Sequence, residues 1–475
     1  MIEMDTSWFS IIPFLVVIPV AIYTKQVLPA LFLGLLVGSY LMEPTIIGGI
    51  QTLFVYVVQA LIDPNNIKII VFLYAFSGLV GMIKMTGGIR GFVEKAAERI
   101  QTRKQALLLT YVSTIGTFAA PTFRFVTIAP IMRALLKKIK MTTAELGFVI
   151  ETTATPVIVL IPVATAFVGY MVSIIQIATE NQGVNVDPYS LFIQSIPFNF
   201  FSIVTILLGV YLSFFHHSKK KSDAPTQIDE KAADDNNDDW HDCHPAVANE
   251  LPIKPMNLLL PLVLVISLTL FLTWWDGSQK GYDFFEAFIK AEVLDAMVIA
   301  LLITVLVSMA FYLLQRFKLD RLIAGFMEGG NELMSVILLL SVVWGLSSIT
   351  DDLGFSAFVT AHSGWIPQMF IAPLIFIFGA AVSYFIGSAW GTWGILMPLG
   401  ISLAIVGDVS LPLVVGAVFA SGAFGAFASP LSDDTNTIAK ILNLSVIEYA
   451  KYKLKPALIA AAITVVLYSV VTFLY

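Results

Sequence analysis

Apolar runs of roughly 20 residues recur along the chain, parted by short polar breaks, beginning with "WFSIIPFLVVIPVAIY" at 8–23. Runs of that length predict helices that cross a hydrocarbon core ~30 Å thick. Strands of a membrane β-barrel would instead alternate over ~10 residues, and no segment does so. Four runs are too long for one crossing. Segment 104–137, taken as one helix at 1.5 Å per residue, would reach ~51 Å, so it is expected to fold back as a re-entrant hairpin with "AAPTF" (119–123) at its tip. Segment 366–406 predicts a second hairpin, with "GSAWGTWG" (387–394) at the tip. Segments 144–180 and 411–441 are broken near their middles by "TTATP" (152–156) and "SPLSDDT" (429–435). Backbone that leaves a helix at membrane depth must line a polar, protein-enclosed cavity.

The two halves repeat one another. Pro130 and Pro162 match Pro398 and Pro430 at an offset of 268 residues, and Gly78 and Gly87 match Gly345 and Gly354 at 267. Lys/Arg clusters at 95–104, 133–140, 219–221, 316–321 and 451–455 orient the halves, because positive residues stay in the cytoplasm. The predicted fold is an all-α polytopic membrane protein of two inverted-topology repeats. Each has about five transmembrane helices plus one re-entrant hairpin, with broken helices at the midplane. The repeats cover 1–215 and 256–475. Between them, 216–255 is a hydrophilic, disordered cytoplasmic linker, and both termini lie outside. Segment 45–62 is read as an interfacial connector matching 316–332.

Composition adds little to this picture. Of the 475 residues 57% are hydrophobic and only 13% charged, and the mean hydropathy is +0.85, against about 25% charged in soluble domains. The acidic start, Glu3 and Asp5 without a basic flank, argues against a cleaved signal peptide. Cys243 is the sole cysteine, so no intrachain disulfide forms. His241, Asp242, Cys243 and His244 sit together in the linker without the spacing of a preformed metal site.

Candidate chemistry gathers at the breaks. The second half offers Ser429, Ser432, Asp433, Asp434, Thr435 and Asn436, with Ser388 and Thr392 from the hairpin tip. These hard oxygen donors suit Na⁺ or H⁺ rather than soft metals. Desolvation and a neighbouring like charge both raise an aspartate's pKa from ~3.9 toward neutrality. Proton and Na⁺ can then compete for one group; the plainer reading is a "DD" that caps a helix. In the first half Ala164 and Thr165 replace Ser432 and Asp433, while Glu151, Thr152 and Thr153 precede Pro156. Glu151 is a second ion ligand or proton carrier, or an interfacial glutamate near Glu145. Arg124 neutralises an aspartate, binds a substrate carboxylate, or snorkels to the interface. Asp351, Asp352, Glu328 and Glu332 read as interfacial. A membrane hydrolase built on the aspartate pair lacks a Gly-x-Gly-Asp setting, a zinc motif and a phosphate loop.

At these residues the sequence resembles the NhaC family of Na⁺/H⁺ antiporters, within the wider ion-transporter superfamily. "GSAWGTWGILMPLG" (387–400), "GAFASPLSDDTNT" (425–437) and "TATPVIVLIPVATAF" (153–167) carry the likeness. The resemblance implies exchange of Na⁺ for H⁺ across a bacterial plasma membrane. Asp433 would be the shared ion ligand, and Asp433, Ser429 and Thr435 would hold Na⁺. Na⁺ and H⁺ are the coupling ions, no cofactor or nucleic acid is expected, and a homodimer is one possible assembly. Asp434 and Asn436 depart from the family pattern. Coupled transport of small carboxylates or amino acids is the alternative, which Arg124 favours.

Overall fold

A computed structural model describes residues 8–88, 102–117, 121, 124, 125, 128, 129, 132, 133, 141–162, 165–215, 254–284, 287 and 291–474. All secondary structure among them is helical. The linker, its His-Cys cluster, most of the first hairpin tip and Ala164 lie outside the described residues, as do most of the basic positions in the first three clusters. Among the described residues eight helices are long and apolar enough to cross a membrane, or nine if the bent pair 188–198 and 200–214 is one span.

In the first half, α1 (Ile12–Thr24), α2 (Val27–Met42), α3 (Ile46–Ile62) and α4 (Pro64–Met85) follow in tight succession. Asp63 ends α3 and caps α4, accepting from the backbone N–H of Asn65 at 2.9 Å and Asn66 at 3.1 Å. Pro64 at the first helical position fits this start, having no N–H to leave unpaired. The α3 segment, expected as a connector, is a 17-residue apolar helix packed along α2. Beyond it come α5 (Arg103–Val112), α6 (Thr114–Thr117), α7 (Thr143–Thr152), the single turn α8 (Thr155–Ile158) and α9 (Ala166–Asn181). The expected break near "TTATP" therefore falls between α7 and α9. Two more helices, α10 (Pro188–Ser195) and α11 (Phe200–Phe214), lead to the linker.

The second half opens with α12 (Met256–Gln279), α13 (Val293–Leu314), the amphipathic α14 (Leu319–Glu332), α15 (Met334–Asp352) and α16 (Phe355–Ser363). The hairpin at 366–406 is α17 (Gln368–Ile386) and α18 (Ala389–Val406), and its turn is confined to Gly387–Ser388. Residues 389–394, expected in the tip, already belong to α18. Segment 411–441 is α19 (Leu411–Ala428) and α20 (Asp433–Leu442), broken at 429–432, and α21 (Val446–Leu474) ends the chain.

The halves interleave. Helix α4 crosses α14 with backbones in contact: a Cβ on Gly81 would sit 2.1 Å from Gly325 O, and Ser77 Oγ donates to Gly329 O at 2.6 Å. Further pairs are α2 with α15, α9 with α18, and α11 with α21. Around the second hairpin turn, Phe167 and Tyr170 of α9 pack on Trp390 and Trp393 of α18, with 4.6 Å between the Phe167 and Trp390 ring centroids. The Trp393 indole N–H donates to Phe419 O at 3.0 Å, so burying this large ring leaves no donor unpaired.

Candidate functional site

The second break is shaped by its own hydroxyls. Ser429 Oγ donates to Tyr384 O at 2.6 Å and accepts from the Leu431 N–H at 3.1 Å, which turns the chain out of α19. Ser432 then caps α20, accepting from the Asp434 N–H at 3.1 Å while donating to Ala426 O at 2.6 Å. Asn436 reaches back to Ser432 O at 2.9 Å and Pro430 O at 3.2 Å. Thr435 Oγ1 donates to Ser429 O at 2.8 Å. The carbonyls of Ala426, Ser429, Pro430 and Ser432 are thereby satisfied from within the break.

The hairpin turn docks directly on this break. Gly387 has φ +75°, and a Cβ there would lie 2.6 Å from both C and O of Leu431. Only glycine combines that conformation with that approach. Ser388 caps α18, accepting from the Gly391 N–H at 3.3 Å, and Thr392 bonds back to Ser388 O at 2.8 Å.

Where turn and break meet lies a cavity of about 550 Å³. Asp433, Asp434, Ser432 and Ser388 line it, joined by Thr155 and Pro121 from the first half. The two carboxylates differ. Asp434 accepts from Thr155 Oγ1 at 2.5 Å, a bond that ties the second break to the first. Asp433 has no hydrogen-bond partner among the described residues, so its carboxylate is free to take a ligand from the cavity. Five helices of ten residues or more also begin at the lining: α2, α9, α15, α18 and α20. Lys25 and Glu332 complete its charged groups. Glu332, expected at the interface, pairs with Lys84 at 2.7 Å, whereas Lys25 has no ion pair among the described residues.

The remaining candidates do not line the cavity. Glu151 is 2% exposed, so it is enclosed by protein, and its Oε1 lies 2.5 Å from Lys453 Nζ. Tyr449 donates to its other oxygen. Thr152 bonds Phe148 O at 2.6 Å and packs against Gly209. Arg124 is fully buried rather than snorkelled. Its guanidinium donates to Thr110 O at 2.5 Å, Thr153 Oγ1 at 2.6 Å, Thr117 Oγ1 at 2.9 Å and Ser113 Oγ at 3.2 Å. It meets no carboxylate among the described residues, so it fastens α5 and α6 to the first break instead of neutralising an aspartate.

Sequence reasoning missed Thr155, Lys25 and Lys453. The sequence pattern puts Lys453 in the cytoplasmic basic cluster at 451–455, yet it is wholly buried. Its position held the signal: Tyr449, Lys453, Ala457, Ala460, Thr464 and Tyr468 share one helical face, and all are 0% exposed.

A family model described as "Na+/H+ antiporter family" matches residues 157–473, from the first break through α21. The chain belongs to this family. It is therefore a multi-pass membrane transporter and not an enzyme. Over 491 aligned residues this family member is 25% identical to an uncharacterized protein of Haemophilus influenzae, covering 100% of the chain and 93% of the relative. A shorter match, 29% identical over 153 residues, covers 30% of the chain and 31% of a malate-2H(+)/Na(+)-lactate antiporter of Bacillus subtilis. Among solved structures, MtrF of Neisseria gonorrhoeae, placed in a class of antimetabolite efflux pumps, aligns with a TM-score of 0.62 at 11% identity, over 89% of this chain and 84% of that one. The YdaH transporter of Alcanivorax borkumensis, noted for an unusual topology, aligns at 0.53 with 13% identity, over 89% and 88%. At such identities the likeness concerns the fold alone.

Proposed function

We propose that the chain exchanges Na⁺ for H⁺ across the bacterial plasma membrane by alternating access. The observation that carries this reading is the Asp433 carboxylate, unpartnered among the described residues, beside the Thr155-bonded Asp434 in the cavity. A carboxylate without a fixed partner can hold either ion but not both, so Na⁺ arriving from one side displaces the proton bound from the other. Asp434 supplies the second negative charge that lets a bare cation remain. Ser388, Ser432 and nearby carbonyls offer neutral oxygens to complete a hard-donor shell. Two repeats of opposite orientation, as the 267–268 residue offset and the Lys/Arg clusters together suggest, would let the site face each side in turn.

A second reading has its own observation. Lys25 and the N-termini of five helices face the same cavity, and helix N-termini carry partial positive charge that favours anions. Such a lining suits a small carboxylate or amino acid moving with the ion. The malate/lactate activity named for the Bacillus subtilis relative is of this class.

Proteoliposomes separate the two. Proton flux driven by an Na⁺ gradient alone, unchanged when malate, lactate or amino acids are added, supports simple exchange. Flux that needs one of those solutes replaces it with coupled transport, and Lys25→Gln should then weaken that solute's effect at least tenfold.

A further inference from the structure

Lys453 and Glu151 form the only ion pair among the described residues in which both side chains are essentially unexposed, at 0% and 1%. The pair lies one residue past Asp434, because Lys453 Nζ also donates to Thr435 Oγ1 at 2.7 Å. The Phe427 and Tyr449 rings flank the ammonium, with centroids 5.3 Å and 4.9 Å away. As a device for joining α21 to α7 this is poor value, since desolvating both charges offsets most of their attraction and apolar side chains would pack as firmly. What the pair does provide is a lysine nitrogen tethered among hard oxygens beside the ion cavity.

We infer that Lys453 is a tethered cation standing in a second ion position. Its ammonium occupies, on Glu151 and Thr435, the place that a free Na⁺ would otherwise take. The number of ions bound is thereby limited to those held at Asp433 and Asp434. Three features support this. The ammonium's partners are a carboxylate and a hydroxyl, the donor types a hard cation needs. Thr435 gives its own proton to Ser429 O, so its lone pairs face the ammonium. The network also begins at the N-terminal turn of α20, which carries the cavity aspartates. The inference rests on the reading that this cavity takes ions, but its claim about Glu151 has a separate readout.

The experiment is equilibrium binding of radioactive Na⁺ to the purified full chain, counted as ions per chain at saturation. Lys453→Ala is expected to bind one Na⁺ more than wild type, and Lys453→Ala with Glu151→Gln to lose that extra ion. Should Lys453→Ala not be recovered folded, Lys453→Gln, which keeps the length without the charge, is read in the same way. Equal counts in wild type and the single variant overturn the inference; a merely structural lysine would change stability but not stoichiometry. Wild type that binds no Na⁺ speaks against the exchange reading, while a Glu151-dependent ion gained by the variant still supports the tethered cation.

Discussion

Arg124 and Asp433 are opposite answers to the problem of placing a charge within a membrane. Arg124 spends its fork on four neutral oxygens, two of them on α5 and α6 hydroxyl or carbonyl groups within seven to fourteen residues of it. A lysine is a point charge and cannot span that set. Losing two such bonds to a charged group costs about 3–6 kcal/mol, so Arg124→Lys should lower the melting temperature clearly, measured by thermal unfolding in detergent. A melting temperature equal to wild type would remove its role as a fastener. Asp433 has no such bonds among the described residues, which suits a ligand that must be exchanged. Both residues were visible as polar interruptions of apolar runs, and so were Ser429, Ser432 and Ser388. Lys453 was not, because a lysine near the end of a basic segment looks solvated until the helical face it shares with Tyr449 and Tyr468 is traced. Thr155 was hidden for another reason: a threonine beside a helix-breaking proline has a sufficient local explanation, and its bond to Asp434 spans 279 residues.

At the scale of elements, the site exists because the α17–α18 turn touches the break between α19 and α20. The long runs with prolines and small polar residues at their middles announced both features. The lengths did not reveal that the turn would shrink to two residues, since tryptophan and glycine at 390–394 read equally well as irregular backbone. Gly387 is the contact. A side chain there meets both a left-handed backbone, costing about 1–2 kcal/mol, and the Leu431 carbonyl. Gly387→Ala should therefore cut Na⁺-driven proton flux at least tenfold in a protein that still inserts. Gly364→Ala is the control, as no atom lies within 4 Å of the added carbon and φ there is negative; it should leave flux unchanged. Flux through Gly387→Ala equal to that control would mean that the turn does not shape the site.

For the whole molecule, the helices of the two sequence halves are packed between one another, as at the α4–α14 glycine crossing. Among the described residues their association rests on buried helix faces. Replacing 222–248 with a Gly/Ser segment of equal length should leave transport within about twofold of wild type, because a stretch so poor in apolar residues contributes no core. Loss of flux from that variant at normal yield would give the linker a direct part in transport. The expected effects on Na⁺-driven flux depend on ions being exchanged at the aspartate pair, and one comparison tests that most directly. Wild type and Asp433→Asn are reconstituted side by side, and Na⁺-driven proton flux is recorded across pH 6 to 9. The asparagine keeps the shape but cannot alternate between holding a proton and holding Na⁺, so flux should vanish at every pH, while Asp434→Asn retains measurable exchange. Full Na⁺-driven proton flux through Asp433→Asn would contradict the assignment and leave the pair as the cap of α20.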